Sequence, residues 1–104
     1  MKIKKDKYFR ERGKEAKIID VSCSKCNNLI FIYQKDGPGW LKRCYINRII
    51  EPKYDSITDI KQLKNLVCKC NQIIGSPIIH KDGRIAFHLI RGNFKRAIHK
   101  DKSF

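Results

Sequence analysis

Hydrophobic residues along the chain occur in short runs that are rich in β-branched and aromatic side chains. Glycine, proline and short polar residues separate these runs, and within several of them apolar and polar positions alternate. This pattern is typical of strands joined by turns rather than of helices. The sequence predicts five strands, over residues 16–22, 29–34, 40–50, 73–79 and 84–91. We expect the last dozen residues either to extend the final strand along an edge or to fray.

Local signals between the predicted strands indicate two turns and one short helix. The segment KDGPG at residues 35–39 has two glycines that accept positive φ and a proline that fixes the bend, and HKDG at 80–83 separates the last two strands. Ser56 and Asp59 have the spacing of a helical capping box. Apolar residues then follow at the spacing of one helical face: Ile57, Ile60, Leu63 and Leu66. We therefore predict a mainly β fold with at most one short helix.

Alternation within the strands also predicts which side chains face the interior. The expected core consists of Ile19, Val21, Leu29, Phe31, Leu41, Ile46, Ile49, Val67, Ile74, Ile79, Ile85, Phe87 and Leu89. Cys44 is expected to be a small buried hydrophobe on the inner face of the 40–50 strand. Trp40 and Tyr45 stay ambiguous, because an aromatic residue beside Gly39 can simply pack over the turn.

The cysteines carry an internal repeat. Residues 25–30 read KCNNLI and residues 69–74 read KCNQII, and a second cysteine just upstream gives CSKC at 23–26 and CKC at 68–70. Zinc takes four tetrahedral ligands, about 2.3 Å away for sulfur, and two residues between thiols let one tight turn direct both at the same ion. We predict a single structural Zn²⁺ site formed by four thiolates, from Cys23, Cys26, Cys68 and Cys70.

The residue after each such turn often needs positive φ, for which Asn is the best tolerated residue after Gly, as at Asn27 and Asn71. The second pair is less regular than the first. Thiols separated by one residue on an extended strand point to opposite faces, so Cys68 and Cys70 can share an ion only if the chain bends at Lys69. The alternative fourth ligand is Cys44 or His80. An iron–sulfur cluster also takes four cysteines, but the two tight pairs suit one ion better.

Composition and charge predict the cellular compartment of the protein and the class of partner that it binds. The chain has 104 residues, 24 basic against 10 acidic side chains, and five cysteines, an odd number that argues against a disulfide framework. Without a secretory signal or a membrane-spanning run, we expect a soluble, cytoplasmic protein that does not bind membranes. The two ends supply nine of the 14 net positive charges. We expect a basic, flexible tail at 1–15, a single zinc-binding β domain at 16–98, and a C-terminal tail at 99–104.

The cysteine pattern resembles that of a known fold. A CxxC knuckle, some forty intervening residues, and a second pair followed by a small residue, an apolar pair and Gly, as in CKCNQIIG, is similar to the β-tent superfamily. That superfamily includes the Yippee proteins, the thalidomide-binding domain of cereblon and the C-terminal domains of viral-RNA-sensing helicases. The resemblance covers residues 20–95 and implies two antiparallel sheets with zinc at their apex. The chain departs from the family in having CxC at the second knuckle and Asn71 where Gly is usual. FIYQKDGPGWLKRCYINRI also resembles small microbial zinc-ribbon-like proteins, which imply no activity.

Three classes of function follow from these features. The first is nucleic-acid binding, with RNA favoured over DNA by the RNA-sensing branch of the superfamily. Phosphate contacts would come from the basic tail and from Lys42, Arg43, Arg48, Arg91, Lys95 and Arg96. Bases would stack on Trp40, Tyr45 or Phe94. The second class is a protein-interaction adaptor with an acidic partner.

The third class, an enzyme, has the least support from the sequence. Four thiolates close a zinc site and leave no position for an activated water. Cys44 and His88 are conceivable as a nucleophile and its base, but no pattern in the sequence places them together. We therefore expect the protein not to be an enzyme.

Overall fold

Eight strands, one α-helix and two 3₁₀ turns make up the fold in a computed structural model, which describes residues 2–100. The strands are β1 (Ala16–Cys23), β2 (Leu29–Asp36), β3 (Arg43–Tyr45), β4 (Ile49–Glu51), β5 (Leu66–Val67), β6 (Ile73–Ile79), β7 (Ile85–Leu89) and β8 (Phe94–Ile98). The helix is α1 (Lys7–Glu11), and the 3₁₀ turns are Ile46–Arg48 and Ile60–Gln62. A mainly β fold with one short helix is therefore confirmed. Among residues 2–100, no helix is long and apolar enough to cross a membrane.

The strands form two antiparallel four-stranded sheets. The first sheet has the order β4-β2-β1-β8 and the second has the order β3-β7-β6-β5. In β1, the side chains of Ile19, Val21 and Cys23 alternate toward the interior, as the period of two in the sequence predicts. In the second sheet, Ile74 of β6 and Phe87 of β7 face the same core. The predicted architecture of two small antiparallel sheets is thus confirmed.

The predicted strand over 40–50 is wrong. Its residues form β3 in the second sheet, a 3₁₀ turn at Ile46–Arg48, and then β4 in the first sheet. The chain changes sheets here, so one continuous strand would have no partner for half of its length. The buried hydroxyl of Tyr33 accepts a hydrogen bond from the backbone N–H of Tyr45 at 2.9 Å and fixes the position where β3 ends.

The helix predicted at the Ser56 capping box is also wrong. The structure has only the 3₁₀ turn Ile60–Gln62, and its cap is Asp59. The Asp59 carboxylate accepts from the N–H of Lys61 at 2.9 Å, while Gln62 Oε1 accepts from the N–H of Asp59 at 2.9 Å. A segment this short gains too few hydrogen bonds to offset the cost of nucleating an α-helix.

Most of the predicted core is confirmed. The buried members are Ile19, Val21, Phe31, Leu41, Ile49, Ile74, Phe87 and Leu89, and Cys44 is buried as expected. Ile46 and Ile85 are half-buried. Leu29, Val67 and Ile79 are exposed, contrary to prediction. The register of β1 with β2 shifts beside Leu29, and that of β5 with β6 shifts beside Val67. Such bulges move a side chain to the opposite face, and Ile79 is the last residue of its strand.

The N-terminal segment, expected to be a flexible tail, contains α1 and contacts the first sheet. The buried Gln34 side chain of β2 accepts from the backbone N–H of Lys4 at 2.7 Å and donates to its carbonyl at 3.0 Å. Asp6 then receives two hydrogen bonds from the buried guanidinium of Arg48, whose Nε donates to Asp36 at 2.7 Å. We call this group of Asp6, Gln34, Asp36 and Arg48 the polar hub.

The C-terminal part of the described chain returns to the first sheet. β8 pairs with β1, from Ile19 opposite Ile98 to Cys23 opposite Phe94, so it neither extends β7 nor frays. Beyond it, His99 Nδ1 lies 2.7 Å from an oxygen of Asp20. The remainder of the predicted C-terminal tail, 101–104, lies outside the described residues.

Candidate metal centre and basic groove

The four cysteines predicted as metal ligands lie together at one end of the two sheets. Their Sγ atoms all lie within 4.8 Å of one another, with 3.6 Å between Cys23 and Cys70 and 3.4 Å between Cys26 and Cys68. Four sulfurs at 2.3 Å around a tetrahedral ion would be separated by about 3.8 Å. The cluster therefore has the size of a site for one metal ion.

Two similar turns position the thiols. In the first, the N–H of Cys23 donates to the carbonyl of Asn28 at 2.9 Å, and the N–H of Asn27 donates to the carbonyl of Cys23 at 3.0 Å. In the second, Cys68 and Gln72 form the equivalent bond at 2.8 Å. The predicted positive φ is confirmed at both asparagines, with 65° at Asn27 and 72° at Asn71.

The second turn explains how two thiols separated by only one residue can face the same ion. The chain turns at Lys69 and Cys70, and the N–H of Asn71 donates to the carbonyl of Cys68 at 2.8 Å. The two thiols consequently reach the same side instead of opposite faces of a strand. Because Cys23 ends β1 of the first sheet and Cys68 follows β5 of the second, an ion bound here links the two sheets.

Hydrogen bonds and neighbouring thiols set the protonation of the cluster. The backbone N–H of Cys70 is the main cause that lowers the pKa of the Cys68 thiol to about 7. The N–H of Asn28 acts to lower the pKa of Cys26, but the adjacent Cys68 and burial outweigh it and raise that pKa to about 11. Crowded thiols do not all ionise without a compensating cation. A bound divalent ion would supply that charge, so these four residues could hold a metal ion.

The alternative ligands are not part of the cluster. Cys44 is fully buried in the core opposite Phe87, and burial raises the pKa of its thiol well above the usual value. His80 lies in the β6–β7 turn, with its ring 5.5 Å from that of Tyr45. Cys44 and His88 are also not brought together, since His88 is exposed and pairs with Arg43.

Four of the six predicted phosphate-contacting residues line one open groove. This basic groove has a volume of about 830 Å³ and contains Lys42, Arg91, Lys95 and Arg96 together with the aromatic residues Trp40 and Phe94. It runs between β8, at the edge of the first sheet, and the 40–42 segment beside β7 of the second. No Asp or Glu is among the described residues that line it.

Trp40 is the most exposed of the large hydrophobic residues in the described chain. It is 79% exposed, and the guanidinium carbon of Arg91 lies 5.3 Å from its ring centroid. It does not pack over the turn beside Gly39, which was the other reading of its position. Leu41 and Leu89, both buried, form part of the groove lining.

Two other predicted contacts lie elsewhere. Arg48 cannot contact a phosphate, because only 1% of its side chain is exposed and its donors are used in the polar hub. The prediction failed because a lone Arg in an apolar stretch gives no sign of buried partners. Arg43 lies on an adjoining hollow, and Tyr45 there stacks on Arg84. Sequence reasoning missed Arg84 altogether, since only the fold brings it to the aromatic rings.

Comparison with known proteins gave no match. No protein-family model, no curated protein and no solved structure matches this chain. The functional interpretation therefore depends on the geometry of the cysteine cluster and the basic groove.

Proposed function

We propose that the protein is a small structural-zinc domain that binds single-stranded nucleic acid, RNA in preference to DNA, through the basic groove. The observation that carries this proposal is the largely exposed Trp40 among four cationic side chains, with no carboxylate lining the same groove. The β-tent resemblance remains part of the proposal and is the support for the preference for RNA. Two antiparallel sheets that meet at a four-cysteine cluster agree with it.

Zinc is the ion that fits the cluster best. Four sulfur donors in a small tetrahedral arrangement favour zinc over hard ions, which prefer oxygen. A cluster with several irons would hold its cysteines further apart than one ion does. Because the thiols come from both sheets, the metal would fix the groove by fixing the relative position of the sheets.

The groove combines the two features that bind single strands. Lys and Arg side chains attract the phosphate backbone and release counterions, while an exposed aromatic ring stacks on any base. The largely exposed ring of Trp40 is free to stack on a base, and Arg91 already lies near that ring. A base on Trp40 would place its phosphates within the basic groove.

Salt dependence tests the phosphate contacts. With four cations in contact with a single strand, the slope of log K against log salt would be about −2.8, so affinity should fall about 50-fold between 50 and 200 mM salt. The measurement is the intrinsic fluorescence of Trp40, the single tryptophan of the chain, titrated with short RNA and DNA oligonucleotides. Quenching that is absent, or an affinity that does not change with salt, would contradict the proposal.

Variants of the groove test its position. Trp40→Ala should weaken oligonucleotide binding by about 5- to 150-fold, which is the usual range for losing one stacked base, as measured by anisotropy of a labelled strand. Arg91→Gln should weaken it and reduce the salt slope by roughly 0.7. Lys64→Gln removes the same charge from an exposed position outside the groove and is the matched control. Equal effects of the last two variants would mean that only the net charge matters.

A protein partner with an acidic segment is the second candidate. It is favoured by the apolar part of the groove, where Leu41 and Leu89 lie beside the exposed Ile90. An acidic peptide that binds more tightly than RNA in the same fluorescence titration would favour this adaptor role. If RNA by itself displaces the bound peptide, the result would favour nucleic acid as the ligand of the groove.

A further inference from the structure

A second, smaller basic hollow adjoins the groove. Its volume is about 130 Å³, below the range of pockets that hold a nucleotide or another small organic molecule. Its charged lining residues are Arg12, Lys35, Asp36, Lys42, Arg43 and Arg84. Five are basic, and the single carboxylate, Asp36, already binds Arg48 at 2.7 Å. Of these five cations, only Arg84 has an ion-pair partner among the described residues, Asp82, so the hollow concentrates positive charge.

Arg84 is held in this hollow in an unusual way. Its guanidinium lies between two tyrosine rings, 3.7 Å from the centroid of Tyr8 and 3.6 Å from that of Tyr45. Stacking on both faces leaves only the edge of the guanidinium for hydrogen bonds. Nε donates to Asp82 at 2.9 Å, which keeps the plane in place.

The Nη1 group of Arg84 is buried and remains without a hydrogen-bond partner among the described residues. A buried charged donor without a partner is costly, and native structures satisfy nearly all such groups. Arg84 therefore lines the hollow with a guanidinium of fixed orientation whose hydrogen-bonding capacity the described residues do not fill.

The surrounding charges favour a strongly anionic group. Burial lowers the pKa of Lys35, and the like charges of Arg96 and Arg12 lower it further. An anion in the hollow would relieve this repulsion. A doubly charged tetrahedral oxyanion balances more of the five cations than a single carboxylate does, and Arg donors suit phosphate oxygens.

We propose that the hollow formed by Arg12, Lys42, Arg43 and the stacked Arg84 is a binding site for one phosphate group. The inference does not rest on nucleic-acid binding by the groove. The phosphate can belong to a strand that lies in the groove, because Trp40 and Lys42 line both cavities, or to a free phosphate or small phosphorylated molecule.

Inorganic phosphate is the probe. The full-length, metal-loaded protein is titrated with phosphate at constant ionic strength, with chloride as the control anion, and backbone amide signals are followed by NMR. The site predicts saturable shifts confined to residues 11–13, 41–45 and 82–85, which surround the hollow, and a stoichiometry of one. Shifts that do not saturate, or that spread over all basic surfaces, would overturn the proposal.

Two variants locate the site. Arg84→Lys keeps the charge but loses the planar set of donors, so phosphate affinity should fall about tenfold or more. Since Arg84 also contacts Tyr8, the second variant is Arg43→Gln at the half-exposed rim, which should weaken binding about three- to tenfold. Changes in the amide spectrum of the free protein should be limited to the neighbours of residue 43, such as Tyr45, whose hydroxyl lies 3.4 Å from Arg43 Nε. Lys64→Gln should bind phosphate as the wild type does. Unchanged affinity in both Arg variants would refute the site.

A competition experiment separates the two sources of phosphate. If bound oligonucleotide excludes inorganic phosphate in the wild type but not in Trp40→Ala, which binds the strand poorly, the site accepts a phosphate of the strand. If both bind at once, or if no oligonucleotide binds while phosphate does, the site serves a free phosphate or small phosphorylated molecule. If the groove does not bind nucleic acid, phosphate binding in the hollow can therefore still be measured separately.

Discussion

The polar hub allows a prediction about stability in which exposure decides the size of each effect. Arg48 is 1% exposed and bridges two carboxylates, of which Asp36 is 9% exposed and Asp6 is 41% exposed. Removing one partner of a buried ion pair costs about 3–5 kcal/mol, because the other charge stays buried without compensation. Arg48→Met should therefore lose about that much, a large fraction of the roughly 5–15 kcal/mol that stabilises a small domain.

Removal of Asp6 and removal of Asp36 should differ in how much each destabilises the protein. Hydrogen bonding by Arg48 is the main cause that lowers the pKa of Asp6 from 3.8 to about 2, which corresponds at most to about 2.4 kcal/mol. Solvent screening at a side chain 41% exposed reduces this to about 1 kcal/mol for Asp6→Asn at pH 7. Asp36→Asn should cost more, about 2–3 kcal/mol, because the same guanidinium then loses its buried partner.

Urea unfolding at pH 7, with metal in excess so that metal binding contributes equally, measures the three differences. The expected order of destabilisation is Arg48→Met, then Asp36→Asn, then Asp6→Asn. Lys64→Gln, at an exposed position, should change the free energy of unfolding by less than about 0.5 kcal/mol. If Asp6→Asn costs as much as Asp36→Asn, or if Arg48→Met costs less than 1 kcal/mol, burial does not control this network and the reasoning is refuted.

Three further outcomes are expected. Chelation of the metal should unfold the domain, because binding of a structural zinc contributes about 10–16 kcal/mol to folding. The loss of the circular dichroism signal of the β strands measures this unfolding. Cys70→Ser should also unfold the domain, whereas Cys44→Ser should keep the metal. Gly75→Ala should destabilise the protein by about 1–3 kcal/mol in urea unfolding, because its Cβ would lie 2.5 Å from the carbonyl oxygen of His88. The stability difference between wild type and Asp6→Asn should be constant above about pH 5 and shrink as the pH falls toward 2, because the contacts that lower the pKa of Asp6 stabilise only its ionised carboxylate. Acid urea titrations that show no change would contradict this.

The sequence predicts those parts of the fold whose signal is local. Strands β1, β2, β6 and β7 follow from alternation and from glycine-containing turns, and the cysteine quartet follows from rare residues at characteristic spacing. The positive φ of Asn27 and Asn71 was predictable for the same reason, since each asparagine closes a tight turn. In each case the residues that determine the structure are neighbours in the chain.

The features that escaped prediction depend on distant partners. The apolar run over 40–50 does not reveal that β3 and β4 belong to different sheets, because both environments favour the same residue types. Arg48 resembles any surface arginine until Asp6, 42 positions away, is brought beside it. The basic groove was predictable as a set of charges but not as a surface, because Trp40 and Phe94 line the same groove only when β8 pairs with β1.

The cysteine cluster and the polar hub stabilise different parts of the two-sheet fold. The cysteines link β1 to the β5–β6 turn at one end, whereas the polar hub ties the N-terminal segment to β2 and to the crossing segment between β3 and β4. Tyr8 of α1 then contacts Arg84, the residue just before β7 of the second sheet. Loss of the metal and loss of the hub should therefore act on different contacts. As for independent sites, the free energy of unfolding that Arg48→Met removes should be the same at two metal concentrations that both keep the cysteine cluster occupied, as measured by urea unfolding.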